Sequence, residues 1–111
     1  MTMRAYLGEF EQLLLLAILR LDAKAYGVEV ARELEARAGR TVSRGHLYTS
    51  LDRLEDKGHV RWKVMPGTRE RGGLPSRLYS VTPAGVAALR AARETLRRMW
   101  RGLEDLLEES S

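Results

Sequence analysis

Near the start of the chain, apolar residues recur at the spacing of one helical face. Phe10, Leu13, Leu14, Ala17, Ile18 and Leu21 lie three or four apart and predict a helix from about Leu7 to Leu21. Leu15, Leu16 and Leu19 fall on the opposite side and are apolar too, so this helix needs cover on both sides. In so small a domain a second subunit is expected to supply part of it. Asp22 to Lys24 predicts a short turn. A second helix is expected from about Tyr26 to Ala38, with Gly27, Val30, Ala31, Leu34 and Ala38 inward and Gly39 as a left-handed cap. A third begins at Ser43, a good N-cap, and buries Leu47, Leu51 and Leu54 before Gly58 stops it. Its other faces carry Arg44, Gly45, His46, Tyr48, Thr49, Asp52 and Arg53.

The periodicity then changes. Val60 to Val64 alternates apolar and basic residues, as a half-buried strand does, and Arg77 to Thr82 reads as the returning strand. The connection from Pro66 to Ser76 is too long for a tight turn and is rich in glycine. Thr82 followed by Pro83 is a strong helix start. Leu89, Ala92, Leu96, Met99, Leu103 and Leu106 then recur at alternating spacings of 3 and 4, a heptad seam that favours pairing between chains. Arg90, Arg93, Arg97, Arg98 and Arg101 fill the first part of this helix, and Glu104, Asp105, Glu108 and Glu109 its end. Acids at a helix C-terminus oppose the dipole, so an antiparallel or crossing partner that brings them to the other chain's arginines is expected.

The 111 residues are one domain's worth. The net charge of +4 is uneven: the segment from Arg40 to Arg77 carries +5, leaving −1 for everything else. Positive charge concentrated on part of a small domain suits a polyanion. There are no cysteines, which excludes disulfides and thiolate metal sites. The uncharged stretch from Gln12 to Leu19 is too short to span a bilayer, and Glu9 and Glu11 before it are unlike a secretory signal. A cytoplasmic location and no membrane partner are expected. No catalytic set emerges: His46 and His59 lack acids at a metal-binding spacing, Ser43 lacks a base, and Arg71-Gly72-Gly73 does not open a helix. The chain is expected to be no enzyme, with no metal and no cofactor.

Helix, helix, helix, strand, basic glycine-rich loop, strand, long helix is the order of a winged helix-turn-helix. The fold class expected is mainly α with a small β-hairpin: residues 1–82 as the DNA-binding part and 83–111 as a dimerisation helix, in one compact unit. A helix fits the major groove, its N-terminal residues reach base edges, and a basic loop can follow the backbone. On these grounds Ser43, Arg44, Gly45, His46, Tyr48, Thr49 and Arg53 of the third helix, and Arg69, Arg71 and Arg77 of the wing, are the candidate DNA contacts. Tyr48 adjoins Leu47, so a place in the core is its other reading, and Arg53 could equally pair with Glu55 or Asp56. Phe10, Leu14, Leu89, Leu96, Met99, Trp100, Leu103 and Leu106 are the candidate dimer interface.

The chain resembles the PadR family of bacterial transcriptional regulators. The resemblance rests on Leu7 to Gln12, on Ala25-Tyr-Gly-Val-Glu-Val30, and on the run from Val42 to Gly58. It continues with Arg71 to Gly73 and with Arg77-Leu-Tyr-Ser-Val-Thr-Pro-Ala-Gly85. It covers about residues 6–90 and points to the short subgroup with one C-terminal helix. It implies a homodimeric repressor, paired through the C-terminal and first helices, that binds an inverted-repeat operator in double-stranded DNA. It also implies release by a small ligand or another signal, and a Tyr48 hydroxyl that reaches phosphate. Some short members hold flat aromatic compounds between tryptophans at the dimer centre, which makes Trp100 a candidate for a small aromatic effector; packing in the interface is its other role. Two departures stand out. The basic run that often follows the Gly-Gly pair is replaced by Leu74-Pro75-Ser76, and His46 stands where a small residue is common. The rival reading is a winged-helix protein-interaction module without DNA binding. An RNA-binding domain is disfavoured, since no aromatic stacking platform is present.

Overall fold

The computed structural model describes residues 7–108; Glu109 lies outside the described residues. Helix α1 is Glu9–Leu21, followed by a 3-10 turn at Asp22–Lys24; α2 is Gly27–Ala38 and α3 is Arg44–Asp56. Strands β1, Val60–Met65, and β2, Ser76–Val81, form an antiparallel hairpin, with Trp62 opposite Tyr79 and Val64 opposite Arg77. Helix α4 is Pro83–Trp100 and a last short helix, α5, is Asp105–Glu108. The chain is thus mainly α with one hairpin.

Each boundary has a local cause. The Ser43 hydroxyl accepts from the His46 amide at 3.1 Å, satisfying one of the orphan donors of α3. Gly39 caps α2 in the left-handed region at φ 64°. Thr82 does two jobs where β2 becomes α4: its hydroxyl accepts from the Gly85 amide at 3.0 Å and donates to the Gly58 carbonyl at 2.6 Å. Gly85 is required there, because a Cβ would meet the His59 carbonyl oxygen at 2.3 Å. The sequence Thr82-Pro83-Ala84-Gly85 is therefore a welded joint between hairpin and helix.

The core is drawn from every layer. Leu14, Leu15, Ala17 and Ile18 of α1 meet Val30 and Leu34 of α2, Leu47, Leu51 and Leu54 of α3, and Val60 and Tyr79 of the hairpin. Two expectations change here. Leu15 is buried within its own chain, so only Leu16 and Leu19 on that side of α1 face outward, at 45% and 43% exposure. Leu14, expected at a dimer interface, is completely buried in this core and offers no surface to a partner. Tyr26 and Leu78 form an isolated bridge, and the Tyr79 amide donates to the Ala25 carbonyl at 3.0 Å. The hairpin is thereby laced to the start of α2, a pairing that a single bridging residue does not announce in sequence.

The C-terminal part corrects the heptad reading. Helix α4 ends at Trp100, and Gly102 turns the chain at φ 87°. The helix of 18 residues stands, but Leu103 and Leu106 lie beyond its end rather than on a continuous seam. Leu89 is half-buried against the chain's own core. The acids at 104, 105 and 108 accordingly do not oppose the α4 dipole; its last turn holds Arg97 and Arg98, which favour it.

Candidate nucleic-acid interface

The first turn of α3 protrudes. Ser43, Arg44, Gly45, His46, Thr49 and Arg53 are exposed, while Leu47, Ser50, Leu51 and Leu54 anchor the helix beneath them. Among the described residues neither Arg44 nor Arg53 forms an ion pair, although the charge of Arg53 is felt by the Glu11 carboxylate. Arg44 stands 5.9 Å from the centroid of the Tyr48 ring.

Three consecutive residues at the start of α1 hold this helix in place. Glu9 pairs with Arg40, just ahead of α3. Phe10 stacks on His46, with ring centroids 4.8 Å apart and planes inclined by 23°. Glu11 pairs with Lys57 at the far end of α3 at 2.7 Å, and also accepts from the Gly8 amide at 3.0 Å. Burial pushes the Glu11 carboxyl up, but Lys57, the Gly8 amide and Arg53 together outweigh it and hold the group below the ordinary carboxylate value. Phe10, expected at a dimer interface, is half-buried in the single chain and packs there on His46 of α3.

Tyr48 is half-buried, and its position explains Gly27. A Cβ at Gly27 would lie 2.1 Å from the Tyr48 hydroxyl, so only glycine lets the phenol rest over the N-terminus of α2. Unpaired helix amides and a phenol hydroxyl at one spot suit a phosphate oxygen. A notch of about 590 Å³ opens here between the helices and the hairpin. Its walls include the cations Arg32, Arg44 and Arg77 and the carboxylates Glu29 and Glu70, with Tyr26, Gly27, Tyr48 and Ser76 between them. Arg32, Tyr26 and Ser76 were not expected from sequence. A solvent-facing arginine on α2 carries no local mark, and its place in the notch appears only once α2 and the hairpin are packed.

The wing is tied down at its base. The Arg77 guanidinium lies 4.0 Å from the Trp62 ring centroid and 3.8 Å from an Asp52 carboxylate oxygen. Arg77 is therefore partly engaged by the protein itself and links the hairpin to α3. Burial raises the Tyr79 phenol above its ordinary value, against the pull of the neighbouring Arg77. The loop crosses itself at Gly67, where a Cβ would strike the Gly73 carbonyl oxygen at 2.2 Å. Arg69 is exposed at the start of the 3-10 turn Arg69–Arg71; the Arg71 side chain lies outside the described part.

Of the remaining expected interface residues, Leu96, Met99, Trp100, Leu103 and Leu106 are exposed in the single chain, between 40% and 72%. Among the described residues no group of acids and histidines could hold a metal ion, and no helix is long and apolar enough to cross a membrane.

This arrangement has known counterparts. The model of the transcriptional regulator PadR-like family matches residues 15–91. Transcriptional regulator Rv3488 of Mycobacterium tuberculosis is 38% identical over 80 residues, 72% of this chain and 70% of that protein. A PadR family transcriptional regulator from Eggerthella lenta superposes with a TM-score of 0.64 at 27% identity, over 89% of this chain and 84% of that one. A transcriptional regulator from Clostridium thermocellum superposes with a TM-score of 0.66 at 18% identity, over 85% and 88%, and so shares the fold. The first two of these relatives are named as regulators of transcription. This chain belongs to the PadR-like family of transcriptional regulators.

Proposed function

We propose that the protein acts as a homodimeric repressor that reads an inverted-repeat operator in double-stranded DNA. Each subunit inserts the first turn of α3 into the major groove, with Arg44 and His46 toward base edges. Ser43, Tyr48, Thr49 and Arg53 contact the backbone, and the notch beside Gly27 receives a phosphate. Arg69, Arg71 and Arg77 carry the wing's share. The observation that carries this reading is the exposed face of α3: among the described residues Arg44 and Arg53 are exposed and form no ion pair, whereas Lys57 at the C-cap pairs with Glu11.

Pairing is supported by the distribution of exposed apolar side chains. Of the eleven large ones among the described residues, eight lie on the outer side of α1 or from Leu96 onward: Leu16, Leu19, Leu96, Met99, Trp100, Leu103, Leu106 and Leu107. Exposed apolar surface concentrated on these two segments of a small domain fits a second copy better than water. In this reading residues 83–111 form the pairing arm of the DNA-binding unit 1–82. Trp100 packs in the interface, where a flat aromatic effector would contact it and shift the spacing of the two reading heads. The protein works in the cytoplasm. Selection of bound duplexes from a random pool tests the proposal. A two-fold symmetric site with half-sites about one helical turn apart is expected; recovery of no enriched sequence, or of an asymmetric single site, overturns it.

A further inference from the structure

We propose that Phe10 is a positioning residue for base recognition: by stacking on His46 it fixes the imidazole so that an N–H at the ring edge donates to a purine in the major groove. The proposal rests on the DNA-binding reading above and names how one base position within it is read.

A histidine on the exposed first turn of a helix has two free side-chain torsions. Hydrogen bonds that discriminate bases need the donor held to within roughly half an ångström and 10–20°. Something must therefore hold the ring. Phe10 covers one face of it, with 4.8 Å between centroids and an interplanar angle of 23°. That leaves the ring perimeter, where both nitrogens sit, uncovered by the stack. Phe10 is itself anchored: it packs against the core, and its neighbours Glu9 and Glu11 are paired with Arg40 and Lys57. The imidazole is thus held against one turn of α1 that is tied to Arg40 ahead of α3 and to Lys57 at its C-cap. A ring N–H is a donor, and the purine edge in the major groove offers N7, joined by O6 in guanine, as acceptors.

The test compares duplex pools selected by the wild-type protein, His46→Ala, Phe10→Leu and Phe10→Trp, with thermal unfolding measured for each. The wild type is expected to prefer a purine at one position of each half-site. His46→Ala should abolish that preference. Phe10→Leu should weaken it by about five- to tenfold at the same position, leaving the other positions and the salt dependence unchanged. Phe10→Trp, which keeps an aromatic face, should restore most of it. The proposal is overturned if Phe10→Leu lowers stability or overall affinity while the base preference stays intact, or if His46→Ala leaves that preference untouched. A wild-type protein that binds no duplex overturns the DNA-binding reading itself, a result distinct from either.

Discussion

Gly27 is a glycine for the sake of Tyr48. The phenol occupies the space that any Cβ would need, so Gly27→Ala must push Tyr48 out of the notch. We expect about 1 kcal/mol of lost stability from the overpacking and a several-fold weaker grip on any duplex, whatever its sequence. Unchanged affinity in Gly27→Ala would remove Tyr48 from the phosphate contacts. Glu11 is the other residue with more than one duty. Its carboxyl is held below the ordinary value in the folded chain, so it adds stability above the unfolded pKa. That contribution fades as pH falls through the folded value, in the range below about pH 4.3. Glu11→Gln should cost about 1 kcal/mol near neutral pH, with the gap to wild type closing toward pH 3. Chemical denaturation at both pH values checks this; an equal gap at each would mean that the charge is not what matters. The legibility of single residues followed how local their partners are. Ser43 and Pro83 act on their own helix and were readable. Phe10 was readable as apolar and not as the support of His46, because that contact joins residues 36 positions apart.

At the scale of elements, the hairpin and α4 are joined through one hydroxyl. Thr82→Val keeps the shape of the side chain but removes both the cap of Gly85 and the bond to the Gly58 carbonyl. About 1–2 kcal/mol of stability should be lost. A melting temperature within error of wild type would show that the joint is held by packing alone. The four main helices and both strands were legible because each has its own apolar period and its own stop. The end of α4 departs from the apolar period for an equally physical reason. Apolar spacings of 3 and 4 continue through Leu103 and Leu106 as if the helix went on, yet Gly102 takes a left-handed conformation and breaks it. Periodicity reports which residues are apolar together; a glycine decides whether one helix carries them.

At the scale of the molecule, charge and apolar surface divide the labour. Arg44 of α3 and Arg77 of the wing border one notch, and most of the exposed large apolar side chains among the described residues lie on α1 or from Leu96 onward. Met99 is 72% exposed in the single chain, so Met99→Asp should leave the subunit folded while splitting the proposed dimer. Sedimentation is expected to report a dimer for the wild type and a folded monomer for the variant. A wild-type protein that is monomeric at tens of micromolar would contradict the pairing. Membership of the family was readable from local motifs, since the α3 run and Thr82 to Gly85 are contiguous in the chain. The notch was not, since α2, α3 and the hairpin each supply only part of it.

Arg44 and Arg53 of α3, without an ion pair among the described residues, are proposed to meet phosphates. The decisive measurement is affinity for the selected duplex as salt rises from about 50 to 200 mM. Six or more phosphate contacts predict a loss of about a thousandfold or greater over that range, with a shallower slope in Arg44→Ala or Arg53→Ala. A binding constant that barely moves with salt would contradict it.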